Sequence, residues 1–172
     1  MKKSEIKIMP AYFIPYVNLT SDEDILPQLE KGGISSYQNN IEKLKVIGTK
    51  TYAQGKWTIP QIIEHVSDTE RIFQYRALRF ARQDKTELSG FDENIYAAVS
   101  KANDRTIEDL LNEFQIVRNS SIALFKSLDK DQLHFTGKAN GNEVSVLALG
   151  FIMIGHSLHH FNVIKERYFG LA

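Results

Sequence analysis

The sequence contains no cysteine, so it has no disulfide framework, no thiolate nucleophile and no thiolate metal ligand. Any metal must be held by nitrogen or oxygen. Charge of one sign is also missing, because 21 Lys and Arg residues are cancelled by 21 Asp and Glu residues. That balance removes the basic surface that recruits nucleic acid and the acidic excess that keeps a chain unfolded. Proline is scarce, and Pro10, Pro15 and Pro27 all fall ahead of the first helical pattern, where they limit regular structure. Long hydrophobic runs are absent: the most apolar stretch, 144–154, is about half of a bilayer span, and His156, His159 and His160 follow it. It is read as a buried helix, with no membrane partner. After MKKSEIKIMP no signal-peptide core develops, since Ser4, Glu5 and Lys7 interrupt it. A cytoplasmic location is expected. No internal repeat or low-complexity tract appears.

What is present is a chain of 172 residues, 42% hydrophobic, which suits one compact domain spanning 1–172. The apolar residues Tyr37, Ile41, Leu44 and Ile47 recur at helical spacing between Gly32-Gly33 and Gly48, which predicts a first long helix from Ile34. A second begins at Thr58, where Thr-Ile-Pro-Gln sets a capping hydroxyl three residues before Gln61 and a proline in the first turn. It is expected to reach about Gln83. Residues 85–103, with FDENIYAAVS, form a crossing segment holding at most a short helix. Thr106 opens a third helix, whose apolar side is Leu110, Leu111, Phe114 and Val117, ending near Leu128-Asp129. A polar loop with Gly137 and Asn140-Gly141-Asn142, where a short hairpin is weakly signalled, leads to a fourth helix capped by Ser145 and reaching about Tyr168. Four such segments predict an all-α four-helix bundle with an irregular N-terminal arm wrapped around it.

Within GHSLHHFN, His156 and His160 are four residues apart, so both rings leave one face of the helix about 6 Å from each other. They share a stripe with Leu149, Ile152, Met153 and Val163, a surface that faces a core, where polar nitrogens need partners. His159 is a rival to His160, though more rotated from the stripe. His65, inside IIEHVSDTE and among Ile62, Val66, Thr69, Ile72 and Phe73, is the best third ligand. His134, in the loop after the third helix, lacks such a context. Three imidazoles without a thiolate suit one divalent ion such as zinc or nickel, and leave coordination positions open. The competing reading is plain core histidines without metal, since the glutamate of the HExxH signature is missing.

Taken together, WTIPQIIEHVSDTE, FDENIYAAVS and GHSLHHFNVIKE resemble the DinB superfamily, and within it the YfiT-like branch, over about residues 34–168. The resemblance implies a metal bound by one histidine of the second helix and two of the last, which by position are His65, His156 and His160. It also implies a metal-dependent hydrolase, or a transferase using a low-molecular-weight thiol; similar members include a mycothiol-dependent isomerase and many without an assigned reaction. A shared scaffold does not carry a shared substrate.

An enzyme of this kind would use the ion to lower the pKa of a water or of a small thiol, and the thiol would be a cosubstrate because the chain has none. Asp68, three residues beyond His65, could orient a ring or accept a proton; its plainer role is a solvent-facing helix charge. Asp92 and Glu93 are candidates for the mouth of the site, against ordinary helix capping. Arg76 lies about 16 Å along the axis from His65 and could hold an anionic group of a small-molecule substrate, against surface pairing. Trp57 reads as a packing residue before the cap. The alternative function is a noncatalytic, metal-stabilised binding or stress-response module. Either a monomer or a homodimer fits.

Overall fold

The computed structural model describes residues 1–172. The chain enters through an arm whose regular pieces, up to Asp24, are short 3-10 turns and one helical turn, α1 (Ile14–Val17). Three helical pieces follow: α2 (Ile25–Lys31), α3 (Ile34–Gln38) and α4 (Ile41–Ile47). The structure therefore differs from the sequence pattern in two respects: helix begins before the glycine pair, and 34–47 does not run through. Gly33 sits at φ 83°, and a Cβ on it would lie 2.0 Å from Ser157 Oγ. Only glycine permits both that backbone angle and that approach. At the second break Asn40 leaves the helical region at φ −119°, ψ 14°, and its amide donates to the Ser36 carbonyl at 2.8 Å. A side-chain amide has replaced a helical backbone bond.

The longest helix, α5 (Ile59–Ala81), starts where the capping box predicts it: Thr58 Oγ1 accepts from the Gln61 amide, and the Gln61 side chain accepts from the Thr58 amide. In the crossing segment, α6 (Glu93–Val99) is capped by Asp92, and Thr106 caps α7 (Ile107–Lys126). After α8 (Lys130–His134), strands β1 (Thr136–Ala139) and β2 (Asn142–Ser145) pair antiparallel, with Thr136 opposite Ser145 and Ala139 opposite Asn142. Asn140 and Gly141 both take positive φ in the turn, as a two-residue hairpin of this twist requires. Ser145 then caps α9 (Val146–Arg167) by accepting from the Ala148 amide.

α5 packs on both α7 and α9, and the broken run α2 to α4 supplies the remaining wall of the bundle. α9 is buried on all sides from Val146 to Ser157, which makes it the central helix. By length and composition it could cross a membrane, but 72% of its most apolar window is buried inside the fold.

The core divides in two. One cluster gathers Phe80, Phe125 and Phe151; the other gathers Tyr37, Phe114 and Phe161. Each fully buried side chain of this size stabilises the fold by roughly 1.5–3 kcal/mol relative to exposure. On all three long helices the residues between the clusters are polar and buried: Thr69 and Glu70 on α5, Arg118 and Ser121 on α7, His156 and Ser157 on α9. A polar layer thus crosses the middle of an otherwise apolar bundle, and the cost of burying it must be met by specific partners.

Candidate metal centre

Three imidazoles meet in this layer. His65 Nε2 lies 3.1 Å from His156 Nε2, and His160 Nε2 lies 3.0 Å from it. One nitrogen from each ring falls within a group spanning no more than 4.8 Å. Two imidazole nitrogens on one tetrahedral zinc, each at about 2.0–2.1 Å, stand about 3.3 Å apart, so these separations suit edges of a single coordination sphere. His156 is buried, and His65 and His160 are partly exposed.

Burial pushes the His65 imidazole down to about 4. Burial, followed by repulsion from the neighbouring histidines, holds His156 and His160 well below the usual histidine range. All three are therefore neutral near pH 7 and carry the lone pairs that coordination uses. No carboxylate contacts the rings; the group facing His65 Nδ1 is the Thr69 hydroxyl, at 3.5 Å.

Aromatic residues enclose the cluster. The Trp57 ring centre is 4.8 Å from that of His65, and Tyr16 is 5.6 Å from His156. Tyr16 reaches this place because Gly155 lets the arm touch α9: a Cβ on Gly155 would lie 2.1 Å from the Tyr16 carbonyl oxygen. Beside the rings a cavity of about 320 Å³ opens between the arm, α5 and the loop before α6. All three histidines line it, together with Tyr12, Phe73 and Phe91.

The other residues singled out in the sequence are spread around this cavity. His159 is partly exposed, stacks edge-on against Tyr16 with ring centres 5.0 Å apart, and lies outside the converging set. His134 ends α8, partly buried and away from the cluster. Asp68 accepts from Arg71 at 3.0 Å and lines a small neighbouring recess shared with Glu64 and Glu93. Burial raises its carboxyl, partly offset by Arg71. Asp92 spends its carboxylate on the amides of Asn94 and Ile95, as a cap. Glu93 is the single acid lining the main cavity, and Arg76 lines it too. Sequence reasoning passed over Tyr12, Tyr16 and Phe91, and gave Trp57 a packing role. The aromatic run in the arm was visible, but only its contact with α9 puts it at the site.

A bundle with a neutral three-histidine cluster at the floor of an aromatic cavity defines a class of candidate metalloproteins. The chain belongs to the DinB superfamily, whose family model matches residues 12–164. It is 28% identical, over 68% of each chain, to a protein of Oceanobacillus iheyensis named as a putative metal-dependent hydrolase. Its fold is that of YfiT from Bacillus subtilis, with a TM-score of 0.70 at 16% identity over 93% of this chain and 87% of that one. YfiT is described as a probable metal-dependent hydrolase with an unusual four-helix bundle topology.

Proposed function

We propose that this protein is a metal-dependent enzyme, in the first instance a hydrolase, in which His65, His156 and His160 hold one divalent ion, zinc or nickel. The observation that carries the reading is the convergence of three neutral imidazole nitrogens on a cavity large enough for a small substrate. A bound ion of this kind supplies Lewis acidity, lowering the pKa of a water or of a small thiol beside it. The chain's own residues do the rest. The aromatic walls give the cavity apolar surface against which a substrate can pack. Glu93, the one acid lining the cavity, accepts a proton in this reading. Burial, then the charge of Glu93, raises the Tyr16 phenol, which keeps its proton at neutral pH and can donate it. A thiol-dependent transferase would use the same residues. It is the second reading: the chain has no cysteine, so the thiol would enter as a cosubstrate, for which the cavity has room.

A noncatalytic module would close its coordination sphere with protein groups, whereas these histidines face an open cavity. The test is metal content by mass spectrometry on untagged protein, comparing wild type with His65→Ala, His160→Ala and His159→Ala. Near-stoichiometric metal lost in the first two and kept in the third supports the ligand set. A panel of esters, amides and electrophiles with small thiols then assays the loaded protein. A wild type that takes up no metal even after reloading would end the enzyme reading.

A further inference from the structure

The cavity contains a second feature that the metal reading does not use. Arg76 on α5 is only 6% exposed, yet its guanidinium makes a single hydrogen bond, from Nη2 to the Ser89 carbonyl oxygen at 2.9 Å. It has no carboxylate partner, and burial disfavours its charge. The same core shows how a structural buried arginine is satisfied. Arg118 reaches both carboxylate oxygens of Glu70 at 2.7 Å and the carbonyls of Leu29 and Gly32. Arg76 has five donors and one protein acceptor, and it lines the cavity. Its unpaired donors open onto the cavity, where the anionic group of a ligand can take the place of water.

We propose that Arg76 anchors a carboxylate on the substrate, so that the cavity receives a small monoanionic acid whose reacting bond lies at the histidine cluster. This rests on the cavity being the substrate site of the reading above. Phe73 bridges the two ends: its ring lies 5.6 Å from the Arg76 guanidinium carbon and 6.5 Å from the His156 ring. The ligand would therefore carry its acid group and its reacting group at opposite ends of an apolar segment lying along Phe73. Monoanion follows from the charges present, since one guanidinium meets one carboxylate in a forked pair and Glu93 at the mouth repels a second negative charge. Tyr12, Phe73 and Phe91 supply walls for an aryl spacer.

The probes are 4-phenylbutanoate and 4-phenylbutanamide, titrated calorimetrically into the full chain, with metal content measured on the same samples. Wild type should bind the carboxylate roughly 10- to 100-fold more tightly than the amide, the range of a charge-assisted pair. Arg76→Gln should bring the two probes within about twofold of each other while leaving metal content unchanged. Arg76→Lys, which keeps the charge but loses the fork, should retain part of the preference. Wild type that ignores the carboxylate, or a preference that survives Arg76→Gln at full strength, overturns the proposal. An Arg76-dependent preference in protein that takes up no metal would sink the metal reading and leave the anchor standing.

Discussion

Glu70 and Arg118 occupy the same polar layer of the core as His65, His156 and His160, and the two groups are built by opposite rules. The ion pair is closed: both side chains are almost fully buried, and backbone carbonyls take up the donors that Glu70 leaves. The histidines are open, with nitrogens turned toward one another and toward a cavity, and no carboxylate bonded to them. A closed group can serve only to hold α5, α7 and the α2 end together. An open one leaves valences that a ligand can fill. Polar burial alone does not mark a functional site; unfilled hydrogen-bonding and coordinating capacity does.

The contrast can be broken from either side, and the largest effect is expected at the closed pair. Glu70→Ala leaves Arg118 buried without its counter-charge and should cost about 3–5 kcal/mol, read as a fall in urea midpoint with metal content retained. A mild loss would mean that the pair is no more essential than a surface bridge. Removing metal should come next. If the ion is present at 100 to 1,000 times its dissociation constant, chelation should lower stability by about 2.7–4.1 kcal/mol in wild type and leave His156→Ala unaffected. Equal responses in the two proteins would detach the metal from the cluster.

Acid should act on the open group as well. His65 titrates at about 4 in the folded chain against 6.5 for an ordinary histidine, so between those values the unfolded chain binds the extra proton. Stability of the chelated protein therefore rises with pH: the contribution is fully present above about 6.5 and is lost as pH falls toward about 4. Denaturation across that window should show a shallower slope in His65→Gln, and identical slopes would mean that the ring is not buried as described. The smallest stability changes separate the neighbouring acids. Asp92→Ala should cost about 1 kcal/mol through loss of the α6 cap, while Glu93→Gln should stay within about 0.5 kcal/mol. On turnover of any substrate found, Glu93→Gln should lower kcat by about 10²–10⁴-fold, far more than Asp92→Ala.

Much of this was legible in the order of residues because it depends on local spacing. The Thr58–Gln61 capping box, the Ser145 cap and the four-residue separation of His156 and His160 are set by neighbours along one helix, and the structure keeps each of them. The break at Asn40 was less legible, since the apolar residues on either side keep a helical period while the amide side chain competes with the backbone. The Pro-flanked arm carried no sign of where its tyrosines lie, because Tyr16 reaches His156 only through the close approach at Gly155.

Periodicity and capping chemistry act over a few residues, so the amino-acid order decided where the long helices begin, which faces are apolar and which histidines share a face. Whether a buried polar group finds a partner depends on side chains brought together from distant parts of the chain. Its place along α5 made Arg76 a candidate in the sequence, but only the packing of the bundle gives Arg118 a carboxylate and leaves Arg76 facing the cavity.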